Sequence, residues 1–291
     1  MAGWVWALIA GLGFGISQLS NRGLNREIDA LRATTAMVTA LFGFLVMATV
    51  LTGEISALPE ITTGAVFWFA AAGLMHFLAG WTLFAFSQQK IGPSRTASIL
   101  SVNPVMAAII AWLVLSEELR PATWAGVLAV TAGVAIITTG RHTSGHWTNP
   151  TLALMATVCF SISPIFVRWG LDRFDHPLLG LAVGMAITVP AMHASSRLFT
   201  GQWVSVPRGT RRWLLSGGLT AAVGLTAQWT AIGLIPVGVA ISLQQLSTPV
   251  VLFVGPWLLA TPAERATPRL LTGTALVVTG SIVVALFGRS L

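Results

Sequence analysis

The sequence predicts an all-α polytopic membrane protein, with ten transmembrane helices arranged as two inverted five-helix repeats. Composition, the length of the apolar segments and an internal repeat predict this class. Of the 291 residues 55% are hydrophobic and only 9% are charged, and the mean hydropathy is +0.80. Soluble domains carry about 25% charged residues, so no soluble core of this size would absorb so much apolar surface.

Ten apolar segments are long enough to cross a bilayer, which takes about 20 helical residues. The first half of the chain contains five of them, over residues 4–20, 33–52, 64–86, 91–115 and 123–139. The second half contains the other five, over residues 150–168, 178–199, 213–234, 237–259 and 270–287. The connections between segments are short and leave no room for a soluble domain.

The two halves of the chain repeat each other at a nearly constant offset. Arg22 and Arg168 match at a distance of about 146 residues, and Pro104 and Pro249 match at almost the same distance. Because each copy crosses the membrane an odd number of times, the second copy must be inverted relative to the first. The predicted units are a first repeat over residues 1–140, a linker over 141–149 and a second repeat over 150–291.

The fourth segment is unusually polar for a membrane helix. Ser98 and Ser101 follow helical spacing on one face, and Pro104 lies in the middle of the span. A proline has no N–H, so one helical carbonyl loses its partner and needs a substitute in lipid. Pro104 and its repeat mate Pro249 are therefore candidate hinges in the fourth and ninth helices, with a purely structural kink as the alternative.

The fifth segment carries Gly126 and Gly133, seven residues apart, and the tenth carries Gly273 and Gly280 at the same spacing. Small residues in this pattern predict a seam for close helix packing. Glu118 lies just before the fifth segment. We expect Glu118 to cap that helix, because a carboxylate is favoured at a helix N-terminus.

A helix with a proline in mid-span, then Leu-Ser-Glu-Glu-Leu over residues 115–119, then a helix with glycine every seven residues resembles a known family. This pattern is similar to that of the EamA-domain branch of the drug/metabolite transporter superfamily. The resemblance implies a ten-helix transporter, cytoplasmic termini and an exporting direction. It also implies a cavity lined by both repeats, to which the third, fourth, eighth and ninth helices contribute.

Neutral polar residues at membrane depth form the predicted substrate pocket, because burying such groups without partners costs several kcal/mol. They are Ser98, Ser101 and Asn103 from the first repeat and Gln228, Gln244, Gln245 and Thr248 from the second. Hydrogen bonds that join helices explain these residues equally well. Trp81 and Trp229 could form apolar or stacking walls, or simply pack in the core or against lipid.

His76 is the one ionisable residue predicted near the centre of a span. Histidine titrates near neutral pH, which suits a proton relay or a substrate donor, and a packing hydrogen bond is the alternative. No Asp or Glu is predicted in mid-span. Proton coupling through a carboxylate buried in the membrane is therefore not expected, and a cationic substrate has no evident counter-charge.

The sequence contains no nucleophile–base pattern, phosphate loop or metal-ligand cluster, so neither an enzyme nor a cofactor is expected. The net charge of +7 comes from basic residues scattered over short loops. Such residues suit anionic lipid headgroups and do not indicate nucleic-acid binding. The expected partners are the bilayer of the cell membrane and a small-molecule substrate. Coupling to protons or another ion and the oligomeric state stay open.

The leading functional hypothesis is a secondary transporter of small metabolites, such as amino acids or drug-like solutes, working by alternating access between the repeats. The exporting direction comes from the resemblance alone. A passive facilitator or pore is the alternative, followed by a membrane receptor or scaffold. Twelve of the 16 Lys and Arg residues fall in odd-numbered loops, which favours external termini, whereas the resemblance implies cytoplasmic ones.

The inverted repeat predicts where the linker lies relative to the C-terminus. A tag inserted in the linker, residues 141–149, should be labelled from the opposite side of the membrane to a tag at the C-terminus, because five helices separate the two. Labelling of intact and permeabilised cells measures this. Labelling of both tags from the same side contradicts the inverted duplication.

Overall fold

The computed structural model describes residues 2–139, 150–259 and 267–288, so the predicted linker over 141–149 lies outside the described residues. Within these ranges all regular structure is helical. The helices follow the ten predicted segments closely. One boundary was predicted wrongly: Ile91 ends the third helix instead of starting the fourth, because Gly92 with φ of 86° terminates the third helix there.

Each repeat contains five membrane-length helices, of which the fourth is broken in two. The first repeat contains α1 (Gly3–Leu24), α2 (Ala30–Leu51), α3 (Thr63–Ile91), α4 (Pro93–Leu100 and Asn103–Leu115) and α5 (Pro121–Thr139). The second contains α6 (Thr151–Leu171), α7 (Pro177–Thr200), α8 (Arg211–Leu234), α9 (Val237–Gln244 and Ser247–Leu259) and α10 (Pro268–Phe287).

Nine of these ten helices are long and apolar enough to cross a membrane over the described residues. The exception is α8, which has 24 residues and is long enough but carries Thr220, Thr226 and Gln228 in its span. It packs against α1, α2, α7 and α6. A helix with protein on several sides can carry such residues, because neighbouring helices provide hydrogen-bond partners that lipid lacks.

Helices α1 and α8 form the most extensive contact in the structure and run antiparallel. A Cβ added to Gly13 would lie 2.8 Å from the Gly224 Cα, and one added to Gly3, at the other end of the contact, would lie 2.9 Å from the Leu234 Cβ. The repeat-related pair, α3 and α6, packs the same way. There Phe69 lies against Gly170. Glycine lets the helix backbones approach closely, which side chains would prevent.

The inversion of the repeats follows from helices that occupy equivalent places in the two copies. Helices α5 and α10 are equivalent, yet they run antiparallel: Gly126 packs against Gly280, and Gly133 packs against Gly273. Helices α2 and α7 are equivalent and also antiparallel. The predicted glycine seam is therefore confirmed, and it joins one repeat to the other.

Helices α4 and α9 are interrupted at equivalent positions, just before Pro104 and Pro249. At the break in α4 the backbone hydrogen bond of the Val102 N–H goes three residues back, to the Ile99 carbonyl, at 3.3 Å. At the break in α9 the Leu246 N–H bonds the Leu243 carbonyl in the same way, at 3.2 Å. The helical hydrogen-bond pattern is thus locally tightened where each proline removes a donor.

The broken helices pack unequally at the two membrane surfaces. We call face A the surface with connections 52–62, 116–120, 172–176 and 235–236, and face B the opposite one. At face A the second half of α4 packs on the first half of α9, where a Cβ on Gly238 would lie 2.7 Å from the Ala108 Cβ. At face B the repeat-related halves make no comparable contact among the described residues.

Filling the α5–α10 seam should destabilise the protein. A Cβ on Gly133 would lie 2.6 Å from the Gly273 carbonyl oxygen, so Gly133→Leu must push the two backbones apart. We expect a loss of about 1–3 kcal/mol and a clearly lower unfolding temperature in detergent. The matched control is Gly43→Leu, because Gly43 is exposed and has no atom within 4 Å of an added Cβ. Equal unfolding temperatures for the two variants would contradict a tight seam.

Candidate functional site

A small cavity lies in the middle of the structure, between α3, α6 and α8. Its polar lining comes from His76, Ser163 and Gln228, and its apolar lining includes Phe77 and Trp229. In this conformation it has room for about one water molecule. Polar groups from both repeats therefore meet at a single place inside the membrane.

The part of α3 that faces this cavity is a π-helix over Leu74–Trp81, with wider turns than an α-helix. His76 and Trp81 both belong to this segment. Such π-helical turns are rare, and they are frequent at functional sites. The sequence pattern did not predict this segment, which distinguishes α3 from its repeat mate α8, an uninterrupted α-helix.

His76 is held by α6. Its Nδ1 lies 3.0 Å from the Ser163 Oγ, at hydrogen-bond distance, and its ring centroid lies 4.9 Å from that of Phe160. His76 thus has the kind of partner that a packing role requires, and it also lines the cavity. The same serine brings α6 into the site, although Ser163 was not among the predicted pocket residues.

Gln228 and Gln244 form a pair that joins α8 to α9. The Gln228 Nε2 donates a hydrogen bond to the Gln244 Oε1, and Gln228 is only 5% exposed. The neighbouring Trp229 stacks on Phe69 of α3, with ring centroids 5.4 Å apart. Gln228 and Trp229 thus line the cavity, and Gln244 joins the site through its hydrogen bond with Gln228.

Asn103 reaches the site through α6. Its Oδ1 accepts a hydrogen bond of 2.7 Å from the Ser161 Oγ, immediately beside the break in α4. Neither Ser161 nor Ser163 was predicted as a pocket residue. Their signal in the sequence was the Phe-Ser-Ile-Ser stretch at residues 160–163, which repeats the Phe-Gly-Ile-Ser stretch at residues 14–17.

The remaining predicted residues lie around the helix breaks or beside the cavity. Ser101 is buried and donates to the Ser98 carbonyl at 2.6 Å, within α4. Gln245 lies in the break in α9 and Thr248 just after it, and both are half-buried. Trp81 packs on Phe84 and Phe160, and its buried indole N–H has no hydrogen-bond partner among the described residues. Of the predicted pocket residues, only His76, Gln228 and Trp229 line the cavity; the others, Ser98, Ser101, Asn103, Gln244, Gln245, Thr248 and Trp81, do not.

The site has no constellation typical of an enzyme in the part of the chain that the structure describes. No three His, Cys, Asp or Glu side chains come close enough there to hold a metal ion. Neutral hydrogen-bonding groups beside aromatic walls, at the interface of inverted repeats in the membrane, are the architecture of the secondary transporters.

Comparison with known proteins identifies the family of the first repeat. A sequence model of the EamA-like transporter family matches residues 1–139, the whole described part of the first repeat. These residues are therefore an EamA domain of the drug/metabolite transporter superfamily, and this domain indicates a multi-pass membrane transporter of that type. Its general partners are a lipid bilayer and a small-molecule substrate. Proteins of this family are not typically enzymes.

The fold is also found among solved structures. One crystal structure of a protein with 18% sequence identity has a TM-score of 0.76 and covers 98% of this chain and 97% of its own. This likeness extends the match over the second repeat, but at that identity it concerns the fold alone. No curated protein matches the chain.

Replacement of His76 should change how transport depends on pH. His76→Ala removes the one ionisable side chain that lines the cavity, so we expect the pH dependence of substrate transport to disappear or shift. The measurement is the initial transport rate at a series of pH values, with insertion checked by membrane content. His193→Ala is the matched control, because His193 bonds Thr39 between α2 and α7, away from the cavity. An unchanged profile for His76→Ala would assign His76 to packing.

Proposed function

We propose that this protein is a secondary transporter that exports small metabolites, such as amino acids or drug-like solutes, by alternating access between its two repeats. The observation that carries the proposal is the unequal packing of α4 and α9, which are equivalent in sequence and broken at equivalent places. They are in close contact at face A and make no comparable contact at face B over the described residues. The exporting direction rests on the family resemblance.

Inverted repeats provide a route to the opposite state. If each repeat adopts the conformation of the other, the first half of α4 packs on the second half of α9, and face B closes while face A opens. Pro104 and Pro249 lie at the breaks where the halves would tilt. We expect the antiparallel α1–α8 and α3–α6 contacts, which are equivalent in the two repeats, to persist through the transition.

The proposed substrate site is the cavity lined by His76, Gln228 and Trp229. It is extended by Gln244, which bonds Gln228, and by Asn103, which bonds Ser161 of α6. Over the described residues, none of the ten helices α1 to α10 contains an Asp or Glu. We therefore favour a neutral or zwitterionic solute, bound through neutral donors and acceptors beside an aromatic wall. Because the cavity has room for only about one water molecule in this conformation, substrate must enter as the broken helices separate.

Flux in proteoliposomes tests the proposal. The purified protein should exchange at least one solute from a panel of amino acids and drug-like compounds across the membrane. Gln228→Leu should lower the exchange rate about tenfold or more, because it removes a buried hydrogen-bond donor from the site. Gln202→Leu, in an exposed connection at face B, should leave the rate unchanged. Absence of flux for every solute under every ion gradient would contradict the proposal.

A passive facilitator is the second candidate, favoured by the lack of carboxylates within the described residues of helices α1 to α10. A facilitator lets its solute equilibrate but cannot accumulate it. Imposing a pH gradient across the proteoliposome membrane separates the two functions. Uphill accumulation of the solute requires a coupled transporter, and equilibration without accumulation indicates a facilitator.

A further inference from the structure

A buried ion pair joins the two repeats at face A. Glu117 lies in the connection between α4 and α5, and Arg168 lies near the end of α6. The Arg168 Nη2 is 3.3 Å from the Glu117 Oε1. The Glu117 Oε2 accepts a hydrogen bond of 2.8 Å from the Val237 N–H, at the start of α9. A carboxylate of the first repeat thus caps a helix of the second.

The Arg168 guanidinium extends this cluster to the connection between α8 and α9. Its Nη2 donates to the Ile235 carbonyl at 2.6 Å, and its Nη1 lies 3.4 Å from the Gly233 carbonyl oxygen. The Glu117 and Arg168 side chains are only 15% and 19% exposed. Charge-assisted hydrogen bonds in such partly buried sites are stronger than those between neutral groups.

The backbone around Glu117 is held in an uncommon conformation. Ser116 has a φ of 55° and is the one non-glycine residue with positive φ in the described part of the chain. It ends α4 and turns the chain just before Glu117. Glu118, which is predicted to cap α5, is exposed, whereas Glu117 reaches the N-terminus of α9. Strained non-glycine residues of this kind concentrate at switch regions and ligand sites.

The cluster lies where the broken helices meet. Gly238, one residue after Val237, is the residue of α9 that packs on Ala108 of α4, and Leu119 also contacts Gly238. The hydrogen bond from Val237 to Glu117 therefore fixes the end of α9 against the end of α4. Separation of the two helices at face A must break this bond.

Resting on the proposed transport function, we propose that Glu117 and Arg168 are positioning residues that hold face A closed, and that a proton binding to Glu117 opens it. Burial raises the pKa of Glu117, whereas the Arg168 charge and the Val237 N–H lower it. Among the described residues, Glu117 faces the Arg168 guanidinium of α6 and the backbone at the start of α9. Its own connection adds Glu118 and Arg120, both exposed.

The direction of the pH effect follows from these contacts. Above its raised pKa Glu117 is ionised, and the ion pair and the helix cap are both present. As the pH falls through that pKa the carboxyl group becomes neutral, and the attraction to Arg168 is lost. Acid on face A therefore favours opening on that side.

Cysteine accessibility tests the proposal without any substrate. In a Cys159→Ala background, Ser242→Cys places a near-isosteric thiol one helical turn after Gly238, at a fully buried position. Glu117→Gln removes the charge without changing the shape, so labelling of this thiol by a membrane-impermeant maleimide should become about tenfold faster. Glu118→Gln, the exposed neighbour, should leave the labelling rate unchanged.

Labelling at different pH values tests whether Glu117 is the group that binds the proton. The labelling rate of the Ser242→Cys thiol, divided by that of the unfolded protein at the same pH, should rise from about pH 8 to about pH 5 with Glu117 present. It should be constant with Glu117→Gln. If Glu117→Gln does not insert, Arg168→Lys replaces it, because lysine keeps the charge but not the guanidinium that bonds both carbonyls. Unchanged labelling in whichever variant inserts, or equal pH dependence with and without Glu117, overturns the proposal.

A second reporter separates this proposal from the proposed function. Ser98→Cys lies in the first half of α4, toward face B. If the repeats alternate, Glu117→Gln makes this thiol slower to label while the Ser242→Cys thiol becomes faster. Faster labelling at Ser242→Cys with no change at Ser98→Cys confirms the Glu117–Arg168 contact as the closure of face A but contradicts alternating access.

Discussion

The close antiparallel approach of the two repeats is the constraint on which the rest of this structure depends. In lipid there is no hydrophobic force between helices, so association rests on packing at small residues and on interhelical hydrogen bonds. Gly13 against Gly224 and Gly133 against Gly273 bring backbones of opposite repeats into direct contact. The first contact belongs to a tightly packed scaffold of α1, α3, α6 and α8, and the second joins α5 to α10.

The polar cavity lies where this scaffold brings the repeats together. Each buried polar group there has a partner on another helix: His76 with Ser163, and Gln228 with Gln244. Such pairs satisfy the groups in the absence of substrate, which lowers the cost of an empty site in lipid. A polar solute would exchange these partners for its own donors and acceptors, so binding and helix separation would favour each other.

The ion pair of Glu117 and Arg168 links the two repeats at face A, at the ends of the helices. Over the described residues, none of the helices α1 to α10 carries a carboxylate, yet Glu117 is partly buried between the repeats because its connection folds onto the start of α9. A carboxylate at this position touches the helices that must separate, although it lies outside the span. In a protein with inverted repeats, an ion pair at one surface can therefore influence the whole transition.

The sequence by itself determined the ten helices to within a few residues, their inverted arrangement and the interruptions before Pro104 and Pro249. These features follow from apolar length, the odd number of crossings and a missing backbone donor, all of which are local or countable. The π-helix of α3, the pairing of Gln228 with Gln244, the bond from Ser161 to Asn103 and the choice of Glu117 over Glu118 were decided by the tertiary structure. Each depends on which helices pack side by side, and in a chain whose helices are apolar on nearly every face, periodicity does not specify those neighbours.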